Sequence, residues 1–173
     1  MWKTLMTELA PQSKDGSYPS INNGVYRCGF ATTQGGYEDG VEDVFEGLER
    51  VEQILRKQRF LAGSVLTEAD VRLFPTIIRF DAVYSTLFKC TRKRIGDYPN
   101  LSMWLREVYQ LPGVRQTVDL PGLIRSYYVQ LFPLNPSGIC PVGPTEADLR
   151  LLAPHDRAEK FGGGGEDIFV YKE

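Results

Sequence analysis

Nucleophilic and metal chemistry usually needs histidine or cysteine held beside suitable partners. This 173-residue chain has one histidine, His155, and three cysteines, Cys28, Cys90 and Cys140. No two cysteines form a C-x-x-C pair, and their wide spacing fits no zinc pattern. Cys28 follows Arg27 and Cys90 follows Lys89, but neither has a histidine neighbour to draw off a proton. Both read as ordinary buried or semi-buried cysteines. His155 lies in a stretch rich in proline and glycine and reads as a surface residue. The residues therefore predict neither a metal site nor a complete catalytic centre. An odd cysteine count argues against a disulfide framework and favours an intracellular reducing compartment, cytoplasmic or, as an alternative, an organelle such as a plastid.

The bulk properties narrow the class further. A formal charge of −2 leaves no electrostatic footprint for nucleic acid, and Arg92-Lys93-Arg94 reads as a short solvated run. With 42% hydrophobic and 24% charged residues, the composition is that of a globular domain. No apolar run is long enough to span a bilayer, and the first residues lack the apolar core of a secretory signal.

Any site must then be positioned by helices. Leu5, Met6 and Leu9 suggest a short helix within residues 1–10, followed by a loop from Pro11 to Asn23. Val41, Val44, Phe45, Leu48, Val51, Ile54 and Leu55 recur at spacings of three and four, which predicts a helix from about Gly36 to Lys57, with Thr33 or Gln34 near its start. Phe60 to Leu66 reads as a connector. Thr67 and Asp70 then form a cap-and-reach-back pair that opens a helix expected to run to about Phe88, with a kink at Pro75. Asn100 is expected to cap a helix over 101–111, stopped by Pro112-Gly113. A short helix over 114–118 and a longer one from Pro121 to Leu131 follow. After Pro133 the chain becomes an irregular tail rich in proline and glycine, with one further helical stretch over Thr145–Leu152. The expected organisation is an N-terminal segment at 1–20, an all-α helical bundle at 21–132, and a tail at 133–173.

Two segments carry a resemblance. Asn22-Asn23-Gly24-Val25-Tyr26-Arg27-Cys28-Gly29-Phe30-Ala31-Thr32 and Leu66-Thr67-Glu68-Ala69-Asp70-Val71-Arg72-Leu73-Phe74-Pro75-Thr76 resemble signatures of the glutathionyl-hydroquinone reductases, the xi class of glutathione transferases. Arg79 to Tyr84, Phe88-Lys89-Cys90, Tyr98 to Leu101, and the stretch from Tyr127-Tyr128 to Pro144 fit the same pattern in order. The resemblance covers about residues 20–157. It departs at Leu87, Ser126 and Leu131, where the family pattern has histidine.

This resemblance implies a glutathione S-transferase C-terminal-like helical bundle. In the family, a thioredoxin-like N-terminal domain binds glutathione and carries the catalytic cysteine, and the helical domain supplies the wall for the substrate. The segments here resemble the helical part, so the expectation is a substrate-binding half without that catalytic domain and inactive alone. By motif, Tyr26, Tyr84 and Tyr127 would line a quinone site, while Thr67 and Asp70 would serve the helix start. Tyr128 would point about 100° away from Tyr127 on the same helix. Glutathione would be a co-substrate where a thioredoxin-like domain is present on the same or a separate chain, with no tightly bound cofactor. The alternatives are a non-catalytic binding subunit docking with other protein subunits in a larger complex, and a carrier for quinones or other aromatic molecules.

Overall fold

A computed structural model describes residues 20–162, so the helix expected over 1–10 and the last eleven residues lie outside it. Among the described residues the secondary structure is helical, with a single isolated bridge between Phe60 and Gly63. The apolar stripe at 41–55 becomes α2, Gln34–Lys57, whose cap Thr33 accepts a hydrogen bond from Gly36 N. Val41, Val44, Phe45, Leu48, Val51 and Leu55 are all buried along it. In front of it stands a helix that the sequence reading did not include, α1, Gly24–Gly29. It packs so closely on α2 that a Cβ at Gly24 would meet Val44 Cγ2 at 2.6 Å, and one at Gly40 would meet Cys28 N at 3.3 Å.

The Thr67 start is present and leads into α3, Glu68–Arg79, with Pro75 inside it. Asp70 does more than reach back to its cap. One carboxylate oxygen accepts from Thr67 N (3.0 Å) and the Thr67 hydroxyl (2.9 Å). The other accepts from Leu61 N (2.9 Å) and Trp104 Nε1 (3.0 Å). One side chain thus ties the 60–66 connector, α3 and the next long helix together. Burial raises the Asp70 carboxyl above the usual carboxylate range, and these hydrogen bonds work against that shift. The helix expected to reach Phe88 ends earlier: after Arg79 it widens into a π-helical turn, Phe80–Tyr84, closed by Ser85 N to Phe80 O at 2.8 Å. Local pattern signals helix but not which carbonyl each amide will choose.

Helix α4, Pro99–Gln110, begins with Pro99 in its first turn, and Asn100 is not its cap. The acceptor comes from α2. Glu52, buried, takes Asn100 N (3.0 Å), Leu101 N (2.8 Å) and Asn100 Nδ2 (2.6 Å). A carboxylate 48 residues away replaces the local cap, and its charge suits the positive end of the helix. The stretch expected to be helical at 114–118 is a 3₁₀ turn, Arg115–Thr117. Helix α5, Leu120–Gln130, starts at Asp119, which accepts from Gly122 N.

The described part of the tail folds back over the bundle. Thr145–Leu152 makes turns, not a helix. A short helix α6, Arg157–Phe161, brings the buried Arg157 against the end of α2. Its guanidinium donates to Leu55 O (3.1 Å), Gln58 O (2.7 Å), Asn100 O (3.4 Å) and Arg59 O (2.5 Å). Glu107 lies beside it at 3.3 Å and pairs with the buried Arg59 at 2.7 Å. His155 is half-buried with Nδ1 unpartnered, which corrects its reading as a surface residue.

Candidate functional site

The three tyrosines singled out in the sequence converge. Tyr26 leaves α1, Tyr84 closes the π-helical turn, and Tyr127 leaves α5. The Tyr26 and Tyr127 hydroxyls are 2.6 Å apart, and those of Tyr84 and Tyr127 are 3.0 Å apart. Tyr127 is therefore the middle member of a hydroxyl chain. Exposure falls along it: Tyr26 is 41% exposed, Tyr127 is half-buried and Tyr84 is 2% exposed. Tyr128 points the other way into the core, as the helical turn requires.

Burial pushes the Tyr84 phenol well above its ordinary value, reinforced by the neighbouring Tyr127 and Tyr26 hydroxyls. Burial raises Tyr127 as well, with the Tyr26 hydrogen bond adding to the shift. Both hydroxyls therefore hold their protons at neutral pH. A three-phenol chain has three protons and two internal links, so one proton is left to donate outward.

The rings rest on a second aromatic tier whose role the sequence reading missed. Phe88 is fully buried and stacks on Tyr84 at 5.1 Å with an interplanar angle of 27°. Its other ring neighbours are Tyr26 at 5.3 Å, Phe30 at 5.7 Å and Tyr127 at 6.1 Å. Phe30, 46% exposed, extends this tier to the surface. The Phe88-Lys89-Cys90 motif was the available signal, but nothing in its spacing marks Phe88 as the common neighbour.

Cys28 and Cys90 lie just beyond this tier and are both buried. Their mutual hydrogen bond draws Cys28 below the ordinary thiol range and pushes Cys90 above it. All three cysteines are free thiols. Among the described residues, no group of three or more histidine, cysteine or acidic side chains could hold a metal ion, and no helix is long and apolar enough to cross a membrane. A cavity of about 490 Å³ lies apart from the tyrosines, between the first turns of α5 and residues 140–146, and contains none of the three rings.

Residues 34–107 match the family described as the glutathione S-transferase C-terminal domain. The chain is 48% identical over 145 residues to the glutathionyl-hydroquinone reductase YqjG of Escherichia coli, across 84% of this chain and 43% of that protein. It is 46% identical over 129 residues to the glutathionyl-hydroquinone reductase PcpF of Sphingobium chlorophenolicum, across 75% of this chain and 41% of the relative. Among solved structures, glutathione-bound YqjG superposes with a TM-score of 0.78 at 47% identity, over 82% of this chain and 45% of that one. A xi-class glutathione transferase from Natrialba magadii gives 0.78 at 44% identity, over 81% and 42% of the two chains. The chain spans less than half the length of the curated relatives it matches.

Proposed function

We propose that this chain, a glutathione S-transferase C-terminal domain homologous to the glutathionyl-hydroquinone reductases, is the substrate-binding half of such a reductase. The observation that carries the reading is the three-tyrosine hydroxyl chain over an aromatic floor. A hydroquinone offers a flat ring and polar oxygens. Tyrosine supplies an apolar face for the ring and a hydroxyl for the oxygen. Tyr26 and Tyr127 present their hydroxyls, and Tyr84 supports Tyr127 from below.

The reaction needs a thiolate, which a thioredoxin-like domain on the same or another polypeptide would supply, with glutathione as co-substrate. That thiolate attacks the sulfur of the glutathionyl adduct and forms a protein–glutathione mixed disulfide. The carbon–sulfur bond breaks, its electron pair stays with the ring, and a proton replaces the sulfur there. A second glutathione thiolate then attacks the mixed disulfide, giving glutathione disulfide and the free protein thiol. The role of this chain is to bind and orient the ring and to donate a hydrogen bond as charge builds on it. A Tyr127 phenol that holds its proton suits that role, because the chain then keeps one proton to donate outward.

Calorimetric titration with methylhydroquinone tests the binding wall. Tyr127→Phe removes the middle of the chain and should weaken binding about tenfold, the scale of one lost hydrogen bond to a polar ligand. Combined with a thioredoxin-like partner domain, the chain should support release of hydroquinone from its glutathionyl adduct. Unchanged binding in both Tyr26→Phe and Tyr127→Phe would remove the tyrosines from the site.

A further inference from the structure

We infer that Phe88 is the positioning residue of the tyrosine site and that Gly29 and Lys89 are the two backbone positions that admit it. This rests on the reading of the tyrosines as the hydroquinone wall. Phe88 is fully buried and so does not touch a ligand. Among the described residues it is the one further ring in contact with Tyr26, Tyr84 and Tyr127 together, and it also meets Phe30. A wedge shared by all three phenols fixes the separation of their hydroxyls, because interiors are close-packed and one displaced ring displaces its neighbours.

Two features of the chain are shaped around this wedge. A Cβ on Gly29 would stand 2.5 Å from Phe88 Cγ and 2.6 Å from Cδ1. Both contacts lie at the rigid root of the ring, where no small rotation relieves them. The bare glycine at the end of α1 therefore lets the Phe88 ring lie against that helix. On the other side, Lys89 adopts a φ of 62°, a left-handed conformation uncommon for a residue with a side chain. It turns the chain directly after Phe88. The turn is held by the Tyr37 hydroxyl donating to Lys89 O at 2.7 Å and by Cys90 N donating to Tyr84 O at 3.0 Å. Backbone strain of this kind persists where its surroundings determine it. Here the surroundings are the tier beneath the three hydroxyls.

The wedge predicts coupling, not merely damage. Gly29→Ala and Phe88→Ala should each weaken methylhydroquinone binding by about tenfold, because each displaces the rings that rest on Phe88. In the Phe88→Ala background, adding Gly29→Ala should cost less than about twofold, because Cγ and Cδ1, the atoms it would strike, are gone. Gly35→Ala has open space around its Cβ and serves as the control with unchanged binding. Tyrosine-ring NMR gives a second measurement that needs no ligand. Gly29→Ala should shift the Tyr26, Tyr84 and Tyr127 resonances together and leave Tyr98 and Tyr109 in place. If wild type binds no methylhydroquinone, the function proposed above fails, and the NMR still decides the wedge. Additive losses in the double variant, or resonances of the three tyrosines that stay put, would overturn it.

Discussion

Two regions handle their polar groups in opposite ways. Around Asp70 and Glu52, carboxylates are buried and their oxygens accept hydrogen bonds from inside the chain. Around Tyr26 the hydroxyl chain begins in the core at Tyr84 and ends at a half-exposed ring. The first arrangement is closed, so removing a member strands its partners in a dry interior. The second is open at one end, and water can replace a lost hydroxyl there. The difference separates groups whose hydrogen bonds are all spent inside the fold from a chain of hydroxyls that reaches the surface.

Substitutions can break or sharpen this contrast. The largest effect is expected for Asp70→Ala, which strands Leu61 N, Thr67 N and Trp104 Nε1. It should cost about 3–4 kcal/mol in denaturant unfolding, and a loss under about 1 kcal/mol would show that the closed network is not closed. Glu52→Ala comes next, at about 2–3 kcal/mol, because it strands Asn100 N and Leu101 N at the start of α4. Tyr127→Phe should change stability by less than about 1 kcal/mol in the same experiment, whereas the proposed function expects it to weaken methylhydroquinone binding. A stability loss as large as that of Glu52→Ala would move the tyrosines into the structural class.

The smallest effect belongs to His155. Burial lowers its pKa below the ordinary value of 6.5. The unfolded chain therefore takes up the proton first. The contribution of His155 is complete above pH 6.5 and is lost as pH falls through that value toward the lower folded one. Urea midpoints measured across this range should fall more steeply for wild type than for His155→Gln. Parallel curves would mean that the ring is as solvated as a surface histidine.

The sequence made some of this legible and hid the rest for physical reasons. The stripe in α2 and the Thr67–Asp70 pair are local patterns with a local cause, and both are present. Helix α1 lacks an apolar stripe or a side-chain cap, and its stability comes from glycine-mediated contact with α2. The cap of α4 depends on Glu52, so Asn100 beside Pro99 misleads any reading limited to neighbours. The tyrosines were found by motif alone. Tyr26 and Tyr127 are 101 residues apart, and no periodicity connects them. Phe88 lies within a motif, yet its proposed role depends on an absent Cβ at Gly29 and a positive φ at Lys89, which appear only in three dimensions.

Arg157 also bears on the order in which the molecule is made. Its donors reach Leu55 O, Gln58 O and Asn100 O, across sequence separations of 102, 99 and 57 residues. Contacts this distant form late, because the chain between them must be ordered before they repay the entropy of closing the loop. On a ribosome, α2 and α4 emerge long before the side chain that satisfies these carbonyls. Until Arg157 docks, the carbonyls at the end of α2 have water as their partner.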